Sequence, residues 1–124
     1  MATLTANVIA TASGITSDAI AVDKTFNFTC KSGGITSRSI DDNAAAGEKI
    51  LEADEYASGS IVYLRNREAA GGIVITIQLS AATAGEIILQ GQEWCMFPWT
   101  AAIDVLAFSA SGAPLLEIGV FSAA

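Results

Sequence analysis

The 124-residue chain contains no histidine and only two cysteines. Without histidine it cannot form a Ser-His-Asp or Cys-His catalytic set, or a zinc site with a histidine ligand. Two cysteines are too few for a disulfide scaffold or a four-cysteine metal site. Neither a GxxxxGK[ST] phosphate loop nor a strand-linked GxGxxG motif occurs. We therefore expect no enzyme activity, no cofactor and no bound metal ion.

Positive charge is also scarce. The net charge is −7, and all six basic residues lie within the first 67 positions. Nucleic acids and anionic membrane surfaces are bound through clusters of Lys and Arg. The composition therefore argues against both as partners.

Long apolar runs are missing. No stretch approaches the ~18 apolar residues that a membrane-spanning helix needs. The first residues, Met1 to Thr5, lack the charged and apolar regions of a signal peptide. We expect the chain to be made in a cytoplasm and not exported by that route.

Small residues and short β-type segments are abundant. Ala, Gly, Ser and Thr make up 44% of the chain. Apolar and polar residues alternate between Ile20 and Cys30, and Ile73 to Leu79 is densely β-branched, as expected of strands. Turn residues recur every 8–12 positions. This pattern predicts one all-β domain over residues 1–124, an antiparallel β-sandwich or jelly-roll-like barrel of eight to ten short strands.

The predicted strands are separated by Gly-, Ser- and Pro-containing turns. Ser32-Gly33-Gly34 is expected to break the chain, and 80–85 is expected to be a turn. Residues 1–12 are expected to form an N-terminal arm or an edge strand. Residues 47–53 favour a short strand, with a helix as the alternative. The predicted strands are 3–12, 20–30, 47–53, 61–66, 73–79, 86–90, 94–97, 103–109 and 115–121.

Three of these strands are apolar on both faces, namely 73–79, 103–108 and 115–121. One face of an antiparallel sheet usually meets water. We therefore expect a second subunit to cover the outer face, so that the protein is a homo-oligomer. The alternative is that these strands are simply central in the sheet.

Two polar features each allow two interpretations. Asp41-Asp42-Asn43 is typical of a turn, and a weak Ca²⁺ site is the less favoured alternative because the DxDxDG spacing is missing. Cys30 and Cys95 are expected to be buried free thiols, with a bridge between distant strands as the alternative.

The densest aromatic cluster comprises Trp94, Phe97, Pro98 and Trp99. Such residues either plug the end of a sandwich or anchor an interface, because each aromatic ring buries a large apolar area. In the N-terminal segment, Leu4 and Val8 are further candidate interface residues. We expect this segment to add as an extra strand to the sheet edge of a neighbour.

Motifs in the second half resemble those of small β-sandwich virion proteins of tailed bacteriophages. These proteins often carry a VY(I/L)(K/R)N strand, a GE…FPW segment and an EYGVF-like last strand. The corresponding residues here are Val62 to Asn66, Gly91 to Trp99, and Glu117 to Phe121, so the resemblance covers about residues 58–122. Two positions differ: Gln92 stands where the family has Gly directly before Glu, and Ile118 stands where an aromatic residue is common.

The resemblance implies a non-enzymatic structural protein of the virion. Its simplest form is a capsid decoration, or cement, protein, expected as a trimer that binds the major capsid protein or other virion proteins. One alternative is a tail tube, tail or fibre-base component, although the long protruding element typical of tail rings is not evident in the sequence. Another alternative is a carbohydrate-binding module in which Trp94 and Trp99 stack on sugar rings.

Overall fold

The fold, taken from a computed structural model, is described for residues 2–12, 20–44, 46–79 and 87–123. These residues form strands, turns and loops, with no helix among them. The nine strands are β1 (Ala2–Ala12), β2 (Ile20–Ser39), β3 (Glu48–Leu51), β4 (Ser60–Asn66), β5 (Ile75–Leu79), β6 (Ile87–Leu89), β7 (Trp94–Trp99), β8 (Val105–Ser109) and β9 (Leu115–Ala123).

The strands pair into two antiparallel sheets. Sheet A has the order β1-β2-β9-β4-β7, and sheet B has the order β3-β8-β5-β6. Their facing sides enclose one hydrophobic core, as in a β-sandwich. The predicted all-β antiparallel fold is therefore confirmed.

Strict alternation along the strands builds the core. In β4, Val62 and Leu64 are fully buried between the sheets, whereas Tyr63 and Arg65 point to the opposite side of sheet A. We call that opposite side the outer face. The largest fully buried apolar side chains are Ile40, Val62, Leu64, Ile75, Ile77, Val105 and Leu116.

Asn66, at the end of β4, joins the two sheets through its buried amide. Its Nδ2 donates to the carbonyls of Ile73 (2.8 Å) and Leu89 (2.9 Å), and its Oδ1 accepts from the N–H of Glu68 (3.0 Å). Buried polar groups are stable only when paired in this way. The last residue of the VY(I/L)(K/R)N strand is thus a structural polar residue.

The predicted chain break at Ser32-Gly33-Gly34 is wrong. β2 runs through these residues, which pair with the end of β9, and the register shifts only between Cys30 and Ser32. A Cβ on Gly33 would lie 2.5 Å from the ring of Phe121. The glycine therefore allows a close ring contact within a strand, and it does not mark a turn.

Other boundaries move by a few residues. The short strand favoured over a helix at 47–53 is confirmed as β3. β8 begins at Val105, after the predicted start at residue 103, and β7 continues through Pro98 to Trp99. Proline is tolerated there because β7 is an edge strand. Residues 13–19, 80–86 and Met1, to which predictions also applied, lie outside the described residues.

The same chain covers part of the outer side of sheet B. Gln78 and Leu106 on that side are buried because the loop before β3 lies against them. A Cβ on Gly47 of this loop would lie 3.2 Å from the Cβ of Leu106. Asn43 fixes the loop by donating from Nδ2 to Ser109 Oγ (2.6 Å). The apolar character of both faces of β5 and β8 is therefore partly explained within one subunit.

Candidate interaction surface

A long β-hairpin projects from sheet A. β1 pairs with the first half of β2 without a break, from Ala2 opposite Cys30 to Ala12 opposite Ile20. We call residues 2–12 together with 20–30 the arm. Eleven paired residues span roughly 36 Å. Alternation gives the arm one mainly apolar face and one polar face, on which Asn7 Nδ2 donates to Thr25 Oγ1 (2.8 Å).

The arm lies across the outer face of sheet A. Near its base, Leu4 lines a cavity together with Gly34 and Phe121. Further along, Ala6 and Val8 line a second cavity with residues of β4 and β7. Burial falls along the arm, from Cys30 at the base, which is 3% exposed, to Phe26, which is 48% exposed. The base is thus covered by its own chain, and the more distant part is open.

The second cavity is an apolar groove of about 520 Å³. We call it the arm groove. Val8 and Phe26 form its arm side, and Lys24 brings the one charge. The rings of Phe26 and Phe28 stack at 6.0 Å. The wall on the body of the protein is formed by Ile61, Trp94, Met96, Phe97 and Pro98.

The structure divides the predicted aromatic cluster between two environments. Trp99 is 3% exposed, its Nε1 donates to the carbonyl of Ile103 (3.0 Å), and its ring lies 5.8 Å from that of Tyr56. Phe97 also packs against the core. Trp94 is 51% exposed on the outer face, and Pro98 is exposed as well. Alternation along one strand therefore makes Trp99 a core residue and Trp94 a surface residue.

The two candidate residues of the N-terminal segment lie on the apolar face of the arm. Leu4 is half-buried opposite Phe28, and Val8 is exposed opposite Lys24. The structure therefore brings Val8, Trp94 and Pro98 together around the arm groove. Leu4 lies nearer the arm base, and Trp99 is separated from the groove by the sheet itself.

A polar network on the outer face was not predicted from the sequence. Tyr63 donates its hydroxyl to Glu117 Oε1 (2.8 Å), and Arg67 Nη1 lies 2.7 Å from Glu117 Oε2. These two partners hold the pKa of Glu117 below its ordinary value. Burial and the bond to Glu117 raise the pKa of Tyr63. The ring of Tyr63 lies 6.4 Å from that of Trp94, so the network borders the exposed tryptophan.

Gln92 has a left-handed backbone with φ of 73°. Glycine adopts this conformation without steric cost, whereas a residue with a side chain is strained in it. Gln92 offsets the cost with side-chain bonds. Its Nε2 donates to the carbonyl of Glu68 (2.6 Å), and its Oε1 accepts from Arg65 Nη2 (2.6 Å).

A second ion-pair network joins the sheets away from the groove. Arg38 of β2 lies 2.6 Å from Glu48 of β3, and Glu48 Oε1 accepts from the N–H of Asp41 (2.7 Å). Burial would raise the pKa of Glu48, but these hydrogen bonds outweigh it and lower the pKa. Asp42 Oδ1 accepts from the N–H of Ala44 (2.8 Å), as in an Asx turn. The turn interpretation of this acidic segment is confirmed.

The two cysteines are free thiols, Cys30 buried and Cys95 half-buried. Burial raises the pKa of Cys95. Within the described ranges, no group of three His, Cys, Asp or Glu side chains is arranged to hold a metal ion. In the same part of the chain, no helix has the length and apolar character needed to cross a membrane.

Comparison with known proteins adds no relative: no family model matches the chain, and no curated protein matches its sequence.

Proposed function

We propose that the chain is a non-enzymatic structural protein of a tailed-phage virion, and that it decorates the capsid as a cement protein. The motifs in residues 58–122 support the virion assignment by resemblance. The observation that carries the proposal is the arm, whose apolar residues Val8, Val22 and Phe26 are all exposed. Exposed apolar patches of this kind usually mark contacts with other proteins.

The arm and the outer face offer apolar surface in one region. Ile35 and Trp94 on the body are each more than half exposed. Neighbouring subunits or the shell would bury these side chains together with Phe26. Several weak contacts of this kind reinforce one another in an oligomer, because binding of one subunit raises the effective concentration of the next. We expect a trimer, which matches the threefold positions of an icosahedral shell.

The localisation of the protein in virions tests this proposal. Antibodies against the purified chain would be used for immunogold labelling of virions of the phage that encodes it. Label distributed over the head supports decoration. Label confined to the tail favours a tail component, and virions without label contradict both.

Two point variants test the surface. Trp94→Ala removes an exposed ring next to the arm groove. Ile103→Ala is the matched control, because Ile103 is 40% exposed in the loop before β8 and does not line the arm groove. Tagged variants would be expressed during infection and their incorporation into purified virions measured. We expect Trp94→Ala to be incorporated less than Ile103→Ala, and equal incorporation would contradict the proposed surface.

A tail component is the second candidate, because the more distant part of the arm is open and extended elements of this kind join rings in tail tubes. Light scattering of the purified protein distinguishes the two. At low protein concentration, where the particles do not associate further, a size of about three times 12.7 kDa favours decoration, whereas hexameric rings or long polymers favour the tail.

A carbohydrate-binding module is the third candidate. Trp94 has polar neighbours, since Arg65 and Gln92 line a cavity with it and with Asn7 of the arm. An exposed ring beside hydrogen-bonding groups is suited to a sugar. Glycan-array binding that is lost in Trp94→Ala would favour this candidate over decoration.

A further inference from the structure

The free edge of β1 lacks the features that normally protect an exposed strand. One edge of β1 pairs with β2, and no strand of the described chain lies beside the other edge. β1 has eleven residues and includes no proline, no charged residue and no register shift. Natural edge strands are usually short, or carry charges, proline or bulges that prevent pairing with another chain. β7, the opposite edge of sheet A, is shorter and contains Pro98.

The edge is also accessible. A cavity of about 530 Å³ borders Leu4 to Val8, with Tyr63 and Trp94 on its far side. Ile9, further along β1, is 67% exposed. The described residues therefore leave room beside the edge and do not cover it.

We infer that this edge pairs with β1 of a second copy, antiparallel, about a twofold axis at Asn7. Even-numbered residues of β1 are Ala, Leu or Val, whereas the odd-numbered ones are Thr, Asn and one Ile. Directly opposite residues in an antiparallel pair point to the same face. When the twofold axis passes through a residue of β1, even-numbered residues lie opposite even-numbered ones, and the apolar faces of the two copies coincide. When the axis passes between two residues, apolar residues lie opposite polar ones.

An axis at Asn7 pairs the whole strand. It sets Ala2 opposite Ala12, Thr3 opposite Thr11, Leu4 opposite Ala10, Thr5 opposite Ile9, and Ala6 opposite Val8. The apolar face of one arm then continues into that of the other. The pairing forms a four-stranded sheet in the order β2-β1-β1-β2.

Charge restricts contact with a second copy to the arm. Each subunit has a net charge of −7, which opposes close contact between the bodies of two subunits. β1 has no charge, so its free edge can meet an identical strand without repulsion. The pairing deepens the proposed lattice role: it joins the arms of two neighbouring trimers and is separate from the contact within a trimer. It rests on that role only for where the contact occurs. Association of the purified protein at high concentration tests it without virions.

Two double variants that differ at one residue test the register. Ile9 lies opposite Asp23 within the arm, so Ile9→Lys is compatible with the hairpin. Thr5→Lys/Ile9→Lys places like charges opposite each other twice across the proposed axis, and Thr5→Glu/Ile9→Lys places opposite charges there. By sedimentation velocity, we expect the first variant to weaken association about tenfold or more, and the second to associate like the wild type. Equal behaviour of the two variants would overturn the pairing.

Cysteine cross-linking tests the axis directly. Asn7→Cys brings two introduced thiols opposite each other, within disulfide distance. Thr3→Cys is the matched control, because its two copies would lie roughly 27 Å apart. We expect oxidised glutathione to give a covalent dimer with Asn7→Cys but not with Thr3→Cys or the wild type. Cross-linking of both variants, or of neither, would contradict an axis at Asn7.

The outcomes separate this inference from the proposed function. A wild-type protein that stays monomeric or trimeric at ~100 µM while antibodies label virions would overturn the pairing and leave the virion role in place. A dimer that cross-links at Asn7 while virions carry no label would overturn the virion role and leave the pairing in place.

Discussion

Replacing Asn66 tests how the two sheets are joined. Asn66→Ala removes two side-chain bonds donated to carbonyls and one accepted from a backbone N–H, all at a buried position. Each such bond contributes about 1 kcal/mol net, so we expect a loss of about 3 kcal/mol in the free energy of unfolding. That corresponds to a melting temperature lower by roughly 10 °C.

Asn66→Asp keeps the shape but replaces the donor with an oxygen that faces the carbonyls of Ile73 and Leu89. The protein should then be less stable at pH 7 than at pH 4, relative to the wild type, because protonation of the new carboxyl restores a donor. The folded-state pKa of that carboxyl would be raised, so the destabilisation grows as pH rises above its unfolded pKa.

Urea unfolding followed by tryptophan fluorescence measures both effects. Asn27→Ala is the control, since Asn27 is exposed on the arm and its side chain accepts a single bond, from Thr5 Oγ1. We expect this control to lie within about 0.5 kcal/mol of the wild type. An Asn66→Ala variant as stable as the control would contradict this role of Asn66. So would an Asn66→Asp variant whose stability relative to the wild type does not depend on pH.

Three further predictions follow from the outer face of sheet A and from β7. Trp99→Ala should lower the free energy of unfolding by about 3–5 kcal/mol, whereas Trp94→Ala should change it by less than about 0.5 kcal/mol. Similar losses for the two variants in urea unfolding would contradict the placement of Trp99 in the core and of Trp94 on the surface. Gln92→Ala should be less stable than Gln92→Gly by about 1 kcal/mol in the same assay. Both variants lose the side-chain hydrogen bonds, but only alanine is strained in the left-handed backbone conformation. An alanine variant more stable than the glycine variant would argue against that strain. The lowered pKa of Glu117 means that its carboxylate stabilises the fold at pH values above the ordinary pKa of 4.5, and that this contribution is lost as pH falls through the folded-state pKa. As pH is lowered from 7 to 3, the urea midpoint of unfolding should therefore fall more steeply in the wild type than in Glu117→Gln. Parallel curves would exclude the effect.

The sheet architecture was predictable because alternation and turn spacing act locally. The run of β-branched residues in β5 and the alternation of Ile20 to Cys30 each indicated a strand, and each is one. The glycines at 33 and 34 misled the prediction, since a glycine in a turn and a glycine beneath an aromatic ring look alike in sequence. Only the pairing of β2 with β9 shows that Phe121 lies over Gly33.

The candidate surface was predictable only in part. Trp94, Val8 and Pro98 were selected as aromatic or apolar residues, and the structure places them around one groove. Trp99 was selected on the same basis but lies in the core. It is an odd number of residues from Trp94 along β7, so the two side chains point to opposite faces of sheet A. The period-two alternation of a strand would have been enough to predict that Trp94 and Trp99 lie on opposite faces. The meeting of the arm with β4 and β7 depends on contacts distant in sequence, which no local pattern reveals.

β2 gives the arm a direct mechanical connection to the centre of the fold. Its first half belongs to the arm, and its second half pairs with β9, which lies between β2 and β4 in sheet A. A pull along the arm would therefore load the hydrogen bonds between β2 and β9 together in shear, with no flexible loop to yield first. The register shift at Cys30/Ser32 is the one irregularity along that path. A subunit held by its arm would transmit tension into its sandwich and resist extension as a single body.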